Sequence, residues 1–211
     1  MIRRLVNLKH RFPGAWELVE RMNGGLFWLR YRNLKAPARN VLEKIDVAAC
    51  RFSLMEKNDL PELQNMLSRQ HEDQLKWFHP HGFDLQPLER KFKNPAFLMM
   101  KVTDPDGAVI GYFFLRCFFI GRAFAGLIVD APWQNKGIGT AIWAACADIC
   151  QKEGIRMQAT IAKDNLPSIA SCRKGTEAQP VANLEDGYLA VECRKKTLHR
   201  MTDDLSRRKA I

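Results

Sequence analysis

Leu127-Ile128-Val129-Asp130-Ala131-Pro132-Trp133-Gln134-Asn135-Lys136-Gly137-Ile138-Gly139-Thr140 is the stretch on which the reading of this chain turns. An apolar strand runs into a short loop, and a helix begins where Gly137 and Gly139 stand. Ile138, Ile142, Ala145, Cys146 and Ile149 then recur with a helical period of about 3.6, and Gly154 supplies a C-terminal stop. The first N–H groups of a helix lack intrahelical acceptors and sit at its positive dipole end, so they favour an anion. Glycines let that anion approach the backbone, and Lys136 adds a formal charge. Spacing excludes three common phosphate motifs. There is no G-x-G-x-x-G with an acid about 20 residues on, and no G-x-x-x-x-G-K-[ST]. The kinase set of strand lysine, catalytic-loop Asp and D-F-G is also missing.

Working outward, the flanking patterns predict a mixed α/β (α+β) domain. Upstream, Arg122 to Val129 and Ala108 to Ile120 read as long strands joined at Gly121, and Phe97 to Val102 as another, with turn chemistry at Asp104-Pro105-Asp106-Gly107. Leu85 to Phe92 suits a short helix. Asn58-Asp59-Leu60-Pro61 starts an earlier one, on which Leu60, Leu63 and Leu67 share a face, and Val47 to Leu54 reads as a strand. Downstream come a strand from Arg156 to Ala162, a helix from Pro167 to Lys174 and a last strand from Tyr188 to Arg194. Near the start, breaks at Pro13-Gly14, Gly24-Gly25 and Ala36-Pro37 predict separate short helices at Ala15 to Met22 and Leu26 to Leu34.

The 211 residues carry 33 Lys/Arg against 23 Asp/Glu, a formal net charge of +10, and the excess is unevenly placed. Residues 1–45 carry ten basic and three acidic side chains, and residues 194–211 carry seven and two, so residues 46–193 have a net charge of −2. The expected division is a basic, aromatic N-terminal extension (1–45), a domain (46–193) and a basic C-terminal tail (194–211). Hydrophobic residues at 46% and charged residues at 27% exclude disorder throughout and collagen-like repeats. Cys50, Cys117, Cys146, Cys150, Cys172 and Cys193 form no C-x-x-C pair and have no histidines at zinc spacing, so no metal is expected. Scattered thiols in apolar surroundings, with no apolar stretch of signal-peptide length behind Arg3-Arg4, indicate a cytoplasmic protein. The most apolar region, 109–129, contains Arg116 and Arg122, which suits buried strands better than a membrane span.

Gln134-Asn135-Lys136-Gly137-Ile138-Gly139 resembles the pyrophosphate loop of the GNAT superfamily of acetyl-CoA-dependent N-acetyltransferases, strand–(Q/R)-x-x-G-x-G/A–helix. Asn165-Leu166-Pro167-Ser168, followed by Cys172-Arg173-Lys174-Gly175, is similar to that family's Asn-x-x-(Ala/Ser)…Tyr-x-Lys-x-Gly segment. The resemblance covers about 46–193. It implies a mixed, mostly antiparallel sheet with a V-shaped splay between central parallel strands and helices on both faces. It also implies acetyl-CoA as co-substrate. The strand residues Leu127, Ile128 and Val129 would face the pantetheine arm, with the Val129 N–H on the thioester carbonyl. The amides of Gln134, Asn135, Lys136, Gly137, Ile138, Gly139 and Thr140 would hold the pyrophosphate, and Asn165 with Ser168 would complete the binding set.

The sequence departs from the family in three places. Cys172 stands where a tyrosine often protonates the CoA thiolate, and a thiol of ordinary pKa about 8.5 matches that leaving group. Thr176 replaces the usual aromatic after the late glycine. No glutamate precedes the loop, where Ala123, Phe124, Ala125 and Gly126 stand instead. Acceptor chemistry is therefore sought in the segment from Glu72 to Asp84, where His79 and His81 flank Pro80 and titrate near neutral pH. The expected reaction is direct attack of a primary amine on the thioester, with an amino sugar or nucleotide-linked amino sugar as first acceptor and a peptide amine second. The competing reading is a catalytically weak GNAT-like binding or scaffold module whose basic ends engage a membrane surface, a partner protein or nucleic acid. Nucleic acid is the least favoured of these because the recognisable domain is not basic, and self-association is left open.

Overall fold

The computed structural model describes residues 13–78, 80–184 and 187–197. The chain enters through α1 (Pro13–Tyr31) and α2 (Lys35–Leu42), then β1 (Arg51–Leu54), α3 (Leu60–Ser68), a one-turn α4 (Glu72–Leu75) and α5 (Leu85–Lys93). Next come β2 (Phe97–Thr103), β3 (Val109–Phe118), β4 (Arg122–Val129), α6 (Ile138–Lys152) and β5 (Arg156–Ala162). The described chain closes with α7 (Leu166–Gly175), β6 (Thr176–Asn183) and β7 (Tyr188–Lys195). Seven strands make one sheet in the order β1-β2-β3-β4-β5-β7-β6. Every neighbouring pair is antiparallel except β4–β5, which is parallel.

Alternation along the strands builds a core on each face, as expected for a sheet covered on both sides. Leu98, Met100, Phe113 and Leu115 point to one face, beneath α2 and α6, whose Ala38, Leu42, Ile142, Trp143 and Ile149 cover them. Phe97, Met99, Tyr112, Phe114 and Ile128 point to the other, beneath Leu60, Leu63, Leu67 and Leu88 of α3 and α5. Gly126 is required by this packing, since a Cβ there would lie 2.6 Å from the Phe114 ring.

Three local expectations change. The Gly24-Gly25 pair does not break the first helix, and the two predicted pieces are one helix, α1. Gly24 is there for a close approach: its absent Cβ would meet the Asn94 Oδ1 at 2.9 Å. Phe27 and Tyr31 of α1, stacked at 4.8 Å, and Leu34, Ala38 and Leu42 beyond them are buried in the main core. The strand expected from Val47 begins only at Arg51, because residues 47–50 close a turn (Cys50 N–H to Val47 O, 3.0 Å) with Ala48 and Ala49 at φ +55° and +54°. Finally, Thr176–Asn183 forms β6, an edge strand that pairs only with β7 and carries little apolar patterning.

Candidate active site: the splay between β4 and β5

β4 and β5 pair only at Arg122–Arg156, Ala123–Met157 and Phe124–Gln158, and then diverge. Hydrogen bonding in an antiparallel ladder alternates, which decides what faces the gap. The Asp130 N–H donates to Ile110 O, so the even-numbered residues of β4 bond to β3. The backbone groups of Ala125, Leu127 and Val129 consequently turn toward the splay. On the far side, the Lys163 N–H donates to Gly187 O, which commits the odd-numbered residues of β5 to β7 and turns Thr160 and Ala162 inward. The splay is thus a pair of strand edges suited to a ligand that itself carries amides, although the Val129 and Ala162 carbonyls at its mouth already accept from the Gln134 side chain and the Asn165 N–H.

At the C-terminal end of β4 the loop is built by local bonds. Asp130 accepts from the Ala131 N–H (3.0 Å) and caps the short turn Ala131–Trp133. The Gln134 side chain folds back to donate to Val129 O (3.0 Å), tying the loop to the strand it leaves. Asn135 at φ +61° and Gly137 at φ +86° curl the backbone so that successive N–H groups converge, a nest that favours an anion. The first helical bond of α6 is Ala141 N–H to Gly137 O, and no side chain caps the helix start. The amides of Ile138, Gly139 and Thr140 therefore remain for a ligand. A Cβ on Gly139 would meet nothing nearer than Ser171 at 3.6 Å, so the protein's own packing does not demand glycine there. Lys136 holds its ammonium 4.3 Å from the centre of the Trp133 ring, keeping a cation beside this cradle. Splayed strand edges leading to an uncapped, glycine-lined helix start fit a coenzyme with an amide-bearing arm and a pyrophosphate.

The model of the acetyltransferase (GNAT) family matches residues 60–175, more than half of the chain. The chain belongs to the acetyltransferase (GNAT) family. It is a GNAT-type N-acetyltransferase, and acetyl-CoA is its co-substrate. Solved structures with the same fold include the GNAT domain of S. lividans PAT, at 15% identity and TM-score 0.59, covering 68% of this chain and 89% of that one. Spermidine N-acetyltransferase from Vibrio cholerae, solved with CoA and spermine, is similar at 14% identity and TM-score 0.56, over 69% and 94% of the two chains. AAC(6')-Ib, solved with paromomycin and acetyl-CoA, shares 17% identity at TM-score 0.55, over 70% and 94%. No curated protein matches the sequence.

The candidate residues of the family motifs come together around the splay, with two exceptions among the acid–base candidates. Asn165 uses its side-chain oxygen to cap α7, accepting from the Ser168 N–H at 3.1 Å. Ser171, one turn on, faces Gly139 and donates to Ser168 O. Cys172 is buried, with its thiol 3.6 Å from that of Cys193 and 3.7 Å from the Thr176 hydroxyl, among core residues of β7 and α7. Its pKa is drawn down, first by the hydrogen bond with Cys193, while burial opposes the shift. A general acid must reach the departing sulfur, and this thiol is enclosed by its own core neighbours. Gly175 is a packing glycine: a Cβ there would lie 2.5 Å from Thr140 O and 2.9 Å from the Trp143 Cβ.

His81 is also committed. Its Nδ1 lies 2.9 Å from Gly82 O and its Nε2 2.9 Å from the Tyr112 hydroxyl. A carbonyl only accepts, so Nδ1 carries the proton and Tyr112 donates to Nε2. The ring sits in a cage of Phe83, Phe97, Tyr112 and Phe114, and burial lowers its pKa below the ordinary histidine value. His79 lies outside the described residues.

Two features of the site escape the sequence reading. The α3 terminus reaches Asp130: Arg69 donates to its Oδ2 through Nε (3.1 Å) and Nη2 (2.7 Å), and Gln70 donates to its Oδ1 (2.9 Å). The segment after α4 crosses to the end of β5, where the Trp77 indole N–H (3.0 Å) and the Lys76 ammonium (3.2 Å) both donate to Asp164. The Lys76 bond is the main reason the Asp164 carboxyl is held below the usual range. An aspartate two residues before the loop proline is a visible capping signal, whereas its partners about sixty residues away are not.

Proposed function

We propose that this chain transfers the acetyl group of acetyl-CoA to a primary amine of a small molecule, by direct attack within a ternary complex. An amino sugar or a nucleotide-linked amino sugar is the first acceptor class. The observation that carries the small-molecule reading is the Trp77–Asp164 and Lys76–Asp164 bridge, which ties the segment after α4 to the end of β5. In this reading the bridge borders the acceptor side, and Asp164, already paired with Lys76 and Trp77, lends that border a polar character. AAC(6')-Ib and the spermidine N-acetyltransferase, whose structures hold aminoglycoside and spermine, share this fold and make a small amine a consistent choice.

In this reading acetyl-CoA supplies the acetyl group already activated as a thioester. The chain's own residues do the rest. Leu127 and Val129 present the β4 edge to the pantetheine arm, whereas the Ile128 peptide is committed to β3 and its side chain to the core, and the Val129 N–H is the donor toward the acyl oxygen. Such a donor stabilises developing negative charge, typically by a few kcal/mol. The amides from Asn135 to Thr140 hold the pyrophosphate, with Lys136 as the adjoining cation, while the Gln134 N–H is spent on Ala131 O and its side chain on Val129 O; the Asn165 amide group remains able to donate into the site. His81 is assigned to structure, since both its nitrogens are engaged, and Cys172 to the core. The cytoplasm is the proposed compartment. Among the described residues, no helix is long and apolar enough to cross a membrane.

The test is acetyl-CoA consumption over a panel of amino sugars, polyamines and peptide amines, with isothermal titration of acetyl-CoA alone. Binding together with turnover favouring the amino sugars is expected. Turnover confined to peptide amines would overturn the acceptor class. Folded protein that does not bind acetyl-CoA would overturn the coenzyme assignment.

A further inference from the structure

We propose that the outward face of α1, with the adjoining β3–β4 turn, is a docking surface for an anionic lipid bilayer, on which the protein lies without crossing it. The inner face of α1 is spent on the core through Phe27 and Tyr31. A second apolar stripe runs along its outside. Leu18, Met22, Leu26 and Leu29 are exposed, Met22 at 59% and Leu29 at 70%. At about 100° per residue these four fall within an arc of roughly 80°. Arg21 and Arg32 flank the stripe on one side and Arg30 on the other, all exposed. The Arg30 guanidinium donates to Phe119 O at 3.0 Å and anchors the β3–β4 turn beside the helix, and there Phe119 and Ile120 are exposed as well. Trp28, 54% exposed, completes an apolar surface with a basic rim. Beneath it, Val19, Met22, Leu26, Phe97 and Phe118 line an apolar cavity of about 350 Å³.

Charge complementarity selects the occupant. The first 45 residues carry a net charge of +7. Pairing two copies through this face would bring two arginine-flanked stripes of the same sign together, whereas an anionic bilayer complements them. An apolar stripe with a cationic border is the makeup of a helix lying in the membrane interface plane. The geometry is also compatible with the active site. The docking face adjoins the start of β4 at the Phe119–Gly121 turn, while the coenzyme loop leaves its other end, roughly 26 Å away along an eight-residue strand. A docked protein keeps the splay's open end directed away from the lipid.

The experiment is co-sedimentation of the full chain with phosphatidylcholine vesicles, with and without phosphatidylglycerol, at low and high sodium chloride. Pelleting is expected with the anionic vesicles, to weaken with salt, and to be slight with phosphatidylcholine alone. Each basic side chain near such a surface contributes roughly fivefold in partitioning. Met22→Glu with Leu29→Glu, at exposed positions, should lower the partition at least about tenfold. Acetyl-CoA affinity and the unfolding midpoint should stay at wild-type values. No pelleting, pelleting that ignores phosphatidylglycerol, or a double variant that pellets like wild type would overturn the proposal. A dimer at sedimentation equilibrium that the double variant abolishes would also overturn it, and would assign the face to a second copy.

Discussion

Replacing Gly139 with alanine separates coenzyme binding from folding. The new Cβ would stand 3.6 Å from the Ser171 Cβ and 3.7 Å from its Oγ, ordinary contact distances, and Gly139 is not among the glycines with positive φ. Alanine in a helix is worth up to about 1 kcal/mol over glycine, so the unliganded protein should be as stable as wild type or slightly more so. The same methyl occupies the space where a pyrophosphate approaches the first-turn amides. A hydrogen bond to a charged group contributes about 1.5–3 kcal/mol, so losing one weakens acetyl-CoA binding roughly 10- to 150-fold. Gly175→Ala is the opposite control. Its Cβ would lie 2.5 Å from Thr140 O, 2.9 Å from the Trp143 Cβ and 3.2 Å from the Ala144 N, and two of those atoms are backbone. Separating α6 from α7 should cost about 1–3 kcal/mol of stability or more. Isothermal titration and urea denaturation of both variants read the two effects. Gly139→Ala protein that binds acetyl-CoA like wild type would refute the cradle.

Three further outcomes follow from the same geometry. His81→Ala should cost about 2–4 kcal/mol, combining a cavity with an orphaned Tyr112 hydroxyl, and leave turnover per folded molecule within about twofold. Because burial lowers the His81 pKa, its share of stability is complete above its unfolded pKa, about 6.5, and is lost as pH falls below it. Denaturation of His81→Phe against pH should show a flatter slope there than wild type. Asp130→Asn removes the charge facing a half-exposed Arg69 and should cost only about 1 kcal/mol of stability. It should raise the KM for acetyl-CoA several-fold with little change in kcat, measured by steady-state kinetics. Ala49→Gly relieves a left-handed alanine worth about 1–2 kcal/mol against a glycine entropy cost of about 0.5–1 kcal/mol, so a small net gain in urea midpoint is expected.

What the sequence discloses and what it conceals divide along the range of the interactions. β4, α6 and β5 lie where alternation, a helical period and Gly154 put them, because each is specified by neighbours in the chain. The splay follows from recognising the motif. Gly24-Gly25 misleads because the reason for Gly24 is Asn94, on another element. The turn at Ala48 and Ala49 carries none of the usual turn residues, and the partly buried Val47 packs against the core nearby. The same limit holds in the site. Asp130 looks like a local cap, but Arg69 and Gln70 reach it only in the folded chain, as Trp77 reaches Asp164. His81 reads as an available titratable group until Tyr112 and its aromatic cage come into contact with it.

Among the described residues, the basic side chains fall into two groups with different surroundings. Near the coenzyme loop Arg69 is paired with Asp130, and Lys136 lies over Trp133. In the proposed site, pyrophosphate recognition falls mainly to backbone amides, whose dipoles carry no net charge and are held by the αL turns at Asn135 and Gly137. At the other end of β4, Arg21, Arg30 and Arg32 stand exposed around an apolar stripe, where charge attraction acts through solvent over about one Debye length. The two ends must therefore respond differently to salt. Raising ionic strength shortens that length from about 10 Å at 0.1 M to about 3 Å at 1 M, which weakens attraction to an anionic surface. Amide-to-phosphate bonds at contact distance feel far less of this. Chloride that releases the protein from vesicles should leave its acetyl-CoA affinity nearly intact, and parallel loss of both would mean that the basic residues, and not the amides, hold the coenzyme.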